Sequence, residues 1–90
     1  MTSDANTARA AGTASATARA VIAQGLDNPA LLDLVADDVD LVSAGVNSGE
    51  MIRVALACEN YLGRQLSDTE LSRMTSVREI ATVLGMDLGA

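Results

Sequence analysis

The stretch Ala44-Gly45-Val46-Asn47-Ser48-Gly49-Glu50-Met51-Ile52 decides how the rest of the chain is read. A glycine-bearing turn leads into an asparagine and a serine, then into an apolar-periodic segment with no breaker before Gly63. Asparagine is a favoured helix N-cap, and a glutamate three residues later completes a capping box, each side chain meeting the other residue's backbone N–H. Ser48 then takes the first helical position, where backbone N–H groups have no partner within the helix. An anionic group on Ser48 would lie against the positive end of the helix dipole. The stretch suits a serine that carries a phosphate.

Downstream, Met51, Val54, Ala55, Cys58, Tyr61 and Leu62 recur at i, i+3, i+4 spacing and predict the buried stripe of a helix from Ser48 to about Leu62. Its other side carries Gly49, Ile52, Arg53, Leu56, Glu59 and Asn60. Large apolar residues beside charges on a solvent-facing side read as a docking surface. Glu50 and Arg53 have the i, i+3 spacing of an ion pair. Gly63-Arg64-Gln65-Leu66 closes the helix. Ser67-Asp68-Thr69-Glu70 opens a short third helix through Leu71 to Met74. Ser76-Val77-Arg78-Glu79 opens a last one, with Val77, Ile80, Ala81, Val83 and Leu84 as its apolar face. Three helix starts with one signature predict an all-α fold.

Upstream, Ala14, Ala18, Val21 and Ile22 fall at helical spacing and predict a first helix over Thr13 to Gln24, with Gly25 as its C′ residue. The small, polar residues Met1 to Gly12 read as a disordered or frayed tail, and Met86 to Ala90 as a second tail. One domain over 13–85 lies between them. Pro29 in Asp27-Asn28-Pro29 is placed to start a short helical turn. Leu31, Leu34 or Val35, and Leu41 are the expected anchors of the long 27–46 connection. Asp37, Asp38 and Asp40 lack the glycine and the distant glutamate of a calcium loop, so they read as a solvated loop and no metal site is expected.

Composition narrows the function classes. Apolar residues make up 49% of the chain, yet Tyr61 is the only aromatic. A core of Leu, Val, Ile, Met and Ala favours packed helices over a sheet. Twelve acids against six arginines leave a net charge of -6, without the basic footprint or stacking rings of a nucleic-acid binder. Such acidity suits docking on basic surfaces of larger partners. The single Cys58 fits a reducing compartment, and no apolar run reaches membrane-spanning length, so a cytoplasmic location is expected. With no His, no Lys and Cys58 on the buried stripe, there is no nucleophile–base pair, and no enzyme is expected.

Asp40-Leu41-Val42-Ser43-Ala44-Gly45-Val46-Asn47-Ser48, followed by an amphipathic helix, resembles the phosphopantetheine attachment site of acyl and peptidyl carrier proteins. By the spacing of elements the resemblance runs from about Ala18 to Leu84. The family's usual core is Asp-Ser-Leu or a related triplet; here Asn47-Ser48-Gly49 stands in its place, asparagine keeping the capping role. The resemblance implies a small four-helix bundle, three main helices and one short, with 4′-phosphopantetheine held covalently on Ser48 and cargo carried as a thioester. It implies as partners a phosphopantetheinyl transferase, a loading enzyme of acyltransferase or adenylation type, and a downstream synthase. Asn47, Gly49, Glu50, Ile52, Arg53, Leu56, Glu59 and Asn60 are the expected docking residues. Arg53 stands on a face that the family usually makes more acidic, which would select a dedicated partner. The departures at Asn47, Gly49 and Arg53 favour a freestanding, monomeric carrier of specialised metabolism, serving polyketide or nonribosomal-peptide enzymes. A different reading is a helical interaction domain that is never modified and binds through Ile52 and Leu56.

Overall fold

Each helix downstream of residue 46 begins where its capping residue stands. The computed structural model describes residues 2–86 and 88, with side chains from residue 12 onward. In it α1 (Thr2–Ala23) and a 3-10 helix (Pro29–Leu34) precede α2 (Ser48–Leu62), α3 (Asp68–Ser72) and α4 (Val77–Val83). The capping box is reciprocal at Asn47/Glu50 and at Ser67/Glu70. At Ser76 the hydroxyl accepts the Glu79 N–H, and the return bond is not made. No strand occurs among the described residues, and the chain is an all-helical bundle, as expected.

α1 is the hub, packing against α2, α4 and the 3-10 helix. Its Ala14, Ala18, Val21 and Ile22 are buried, the four residues that periodicity selects. Alanine at two of them lets the neighbouring helices approach closely, because contact side chains set the interaxial distance. The helical backbone is continuous from Thr2 rather than starting at Thr13. This alanine-rich segment contains no proline, so no stop signal separates the two halves. α1 ends in tightened turns, with the Gly25 N–H donating to the Ile22 carbonyl at 2.9 Å. Gly25 is needed there for space. Its φ is not among the positive ones, and an added Cβ would fall 2.5 Å from the Val54 nitrogen.

Ile22, Leu41, Val46, Val54, Cys58, Val77 and Ile80 are the largest fully buried side chains. Each aliphatic member contributes about 1.5–3 kcal/mol by leaving water. One expectation for the stripes is corrected. Tyr61 is 51% exposed, while Ala57 is buried in its stead. Among the loop anchors, Leu41 and Val35 hold, Leu32 joins them, and Leu34 is 85% exposed. The 3-10 path rotates neighbouring side chains by a different angle than an α-helix, so one leucine turns inward and the next outward. α3 stops at Ser72, short of Met74, which is nevertheless buried.

The long connection is ordered by a side chain that periodicity does not flag. Arg19 of α1 donates to the Leu32 carbonyl at 2.7 Å, the Val35 carbonyl at 2.8 Å and Asp37 Oδ1 at 2.8 Å. Ser15 donates to the same carboxylate oxygen at 2.8 Å. Asp37, expected as a solvated loop residue, is thus a ligand of Arg19, which holds its carboxyl below the ordinary range. Arg78 of α4 pairs with Asp38. At the other end, Gly85 adopts φ 85° and the Met86 N–H bonds to the Ala81 carbonyl at 2.8 Å, a helix-ending Schellman pair. Beyond it Leu88 is buried against the core, so that part of the expected tail packs; Met1, Asp87, Gly89 and Ala90 lie outside the described residues.

Candidate functional site

The turn before α2 is fixed from both sides. Leu41 is fully buried and its N–H donates to the Thr75 carbonyl at 2.8 Å, tying the turn to the approach of α4. The Val46 N–H closes back on the Leu41 carbonyl at 3.0 Å, and Val46 is itself buried. Asp40 accepts the Ser43 N–H at 2.8 Å, a bond that holds its carboxyl below the ordinary range. Asn47 follows in extended backbone, and its Oδ1 accepts the Glu50 N–H at 2.8 Å.

Ser48 is exposed at the first position of α2, and no hydrogen bond engages its hydroxyl among the described residues. Gly49 beside it is open as well. A Cβ there would meet only Asn47 Oδ1, at 3.4 Å.

Glu50 is placed differently from expectation. It is 8% exposed, its Oε1 accepting the Asn47 N–H at 3.1 Å and its Oε2 the Asp27 N–H at 2.9 Å. These two donors, with a smaller contribution from Arg53, hold its carboxyl below the ordinary range. The expected Glu50–Arg53 ion pair is not formed. Arg53 instead reaches Asp27 at 2.7 Å and the Gly25 carbonyl at 3.1 Å, because the connection brings an acid and a carbonyl within range of its fork. Of the other docking candidates, Asn47, Ile52, Leu56 and Asn60 are exposed. Glu59 is half-buried and accepts the Leu66 N–H at 2.9 Å.

An apolar groove of about 290 Å³ lies beside this turn, lined by Val42, Met51, Ile52, Ala55, Leu71 and Met74. It brings α2 together with the turn at Val42 and with the α3 segment. Met51, Ile52 and Ala55 were legible on α2 from helical spacing; Val42, Leu71 and Met74 were not, because nothing local in the sequence says that their segments meet α2.

The phosphopantetheine attachment site family matches residues 19–84. The chain belongs to that family. No curated protein and no solved structure matches it in the corresponding comparisons. Domains of this family carry covalently attached 4′-phosphopantetheine and are carriers rather than catalysts. Membership also implies work with a phosphopantetheinyl transferase and with loading and synthase enzymes in general. The matched segment runs from Arg19, which orders the connection, to Leu84 at the close of α4, and so takes in all the structure around the Ser48 turn. Among the described residues of this carrier domain, no cluster of His, Cys, Asp and Glu could hold a metal ion. No helix among them is long and apolar enough to cross a membrane.

Proposed function

We propose that Ser48 is the attachment residue and that the chain, with residues 13–85 as its carrier domain, presents acyl, aminoacyl or short peptidyl intermediates to polyketide or nonribosomal-peptide enzymes. The observation that carries this reading is an exposed, unengaged serine hydroxyl at the start of α2, inside the family-matched segment. The surroundings fit the group. The helix N-terminus favours the phosphodiester's charge, the open side at Gly49 leaves room, and the apolar groove offers a surface along which an arm can lie.

Attachment joins Ser48 Oγ to the phosphorus of the incoming arm, breaks the pyrophosphate bond of coenzyme A and releases its adenosine bisphosphate half. The hydroxyl proton passes to the transferase. Once bound, the arm supplies a terminal thiol that holds cargo as a thioester. Tethering raises the cargo's effective concentration at each partner's site. Asn47, Gly49, Ile52, Leu56 and Asn60 form the face that meets partners, with Ile52 and Leu56 as its apolar centre. The departures from the common triplet at Asn47 and Gly49 support a dedicated assembly line. A free, buried Cys58 suits a reducing, cytoplasmic setting.

The test is the intact mass after incubation with coenzyme A, magnesium and a promiscuous phosphopantetheinyl transferase, for wild type and Ser48→Ala. A phosphopantetheine mass gain in wild type alone is expected. A gain in Ser48→Ala would move the attachment elsewhere. A folded wild type that no transferase modifies would bring forward the unmodified interaction domain, for which Ser48→Ala leaves partner binding intact.

A further inference from the structure

Two charged residues on α2 that spacing assigns to the docking face are engaged inward. The two carboxylate oxygens of Glu50 serve different segments. Oε1 holds the N–H of the helix cap Asn47, and Oε2 holds the N–H of Asp27, 23 residues upstream of Glu50. Arg53, less than one turn further along α2, grips the same upstream corner through Asp27 Oδ1 at 2.7 Å and the Gly25 carbonyl at 3.1 Å. The corner also rests on α2 by direct contact, since Gly25 lies against the Val54 backbone with no room for a Cβ. A carboxylate accepts at both oxygens, whereas a carboxamide accepts at only one and would turn an N–H₂ toward the second donor. The arrangement therefore needs the charged acid and not merely a capping side chain.

We propose that Glu50 and Arg53 are positioning residues for the modification of Ser48, clamping the Gly25–Asp27 corner onto the first two turns of α2 and so holding the serine's turn in the shape on which the transferase acts. This rests on the reading that Ser48 carries the arm. The physical ground is that the first turn of a helix has unpaired N–H groups and is the first to fray. Without the clamp, Asn47 and Ser48 would sample several conformations, and misplacing a nucleophile slows transfer even when the encounter is unimpaired. Docking contacts would act differently, altering encounter and leaving the chemical step alone.

The test combines amide NMR with transferase kinetics on wild type, Glu50→Gln and Arg53→Ala, each confirmed as helical. The charged groups that face Glu50 are Arg53 on its own helix and Asp27 on the connection. In wild type the Asp27 and Asn47 amide resonances shift together on acidification with one midpoint, below the ordinary glutamate range; in Glu50→Gln that joint shift is lost. The kcat for Ser48 modification falls on the order of tenfold in Glu50→Gln, and less in the half-exposed Arg53→Ala. KM for the carrier stays within about twofold in both. Arg53→Lys, which keeps the charge but not the planar fork, recovers part of the loss in kcat. A raised KM with unchanged kcat would make both residues docking contacts and overturn the proposal. Unchanged kinetics in a Glu50→Gln protein that has lost the amide titration would overturn it too. A wild type that takes no arm would instead remove the carrier reading and this proposal with it, leaving the amide titration to report the clamp as structure alone.

Discussion

The backbone of Gly25 lies against the backbone of Val54: a Cβ added at Gly25 would stand 2.5 Å from the Val54 nitrogen and 2.8 Å from the Arg53 carbonyl carbon. Neither atom can rotate aside, so relief requires moving α2 itself. This approach also brings the Gly25 carbonyl and Asp27 into range of Arg53 and Glu50, linking helix packing to the Ser48 turn. Gly25→Ala is expected to destabilise the fold by about 1–3 kcal/mol. The measurement is urea unfolding, with a lower midpoint at unchanged slope. Wild-type stability in this variant would show that the helices yield more easily than the contact implies.

Arg19 organises the connection through two backbone carbonyls and Asp37. Both members of the ion pair are about one-quarter to one-third exposed, so the bonds are screened only in part. Arg19→Ala removes the Val35 carbonyl's Arg19 donor, leaves the Leu32 carbonyl with the Val35 N–H and the Asp37 carboxylate with Ser15, and is expected to cost about 1–3 kcal/mol. Hydrogen exchange should speed up most in residues 29–38, with α2 and α4 less affected. Uniform acceleration across the chain would mean that Arg19 supports the whole bundle rather than the connection.

Glu70 predicts an acid limb of stability. Arg64 grips its carboxylate with two parallel bonds, at 2.9 and 2.8 Å, and the Ser67 N–H adds a third at 2.9 Å. Together they hold its pKa down from 4.5 to about 2. Because the folded value is the lower one, the stabilisation is fully present above the unfolded value and is lost as pH falls through the window between them. The melting temperature of wild type should therefore fall across that window. Glu70→Gln should melt below wild type at neutral pH and converge with it near the lower end. Parallel curves would show that the Arg64–Glu70 pair is not coupled to folding.

Cys58 is expected to be inert in the folded chain. Burial is the main force pushing its thiol up to about 11, with Glu59 adding repulsion. From an ordinary value of 9.0, that shift lowers the thiolate fraction near neutrality on the order of a hundredfold. Alkylation by iodoacetamide at mildly alkaline pH should track global unfolding, rising with urea along the unfolding curve. Rapid labelling of the folded protein would contradict this burial. On the proposed function the consequence is practical: a thiol that reacts quickly in the modified protein is the arm's own.

The local half of the structure was legible from sequence. Asn47 with Glu50 and Ser67 with Glu70 form the expected reciprocal boxes, because capping pairs residues three apart whose geometry the backbone itself fixes. The buried faces of α1 and α4 follow from period, and the position of Ser48 at the start of α2 follows from its cap. Tyr61 was misassigned because period identifies a face without saying how far a neighbour covers it, and only packing chose Val35 over Leu34 as the anchor.

Sequence by itself determined where the helices after residue 46 start, that the chain forms an all-α carrier fold, and which serine stands at the exposed turn. Only the tertiary structure decided what the charges do. Glu50 and Arg53 reach back 23 and 26 residues to Asp27, Arg19 reaches forward 18 to Asp37, and Gly25 makes room for Val54. Capping and periodicity are short-range and repeat with the backbone, so they leave a pattern in the sequence. An ion pair or a close backbone approach between segments far apart in the chain exists only once packing has brought the segments together, and its residues carry no local mark beforehand.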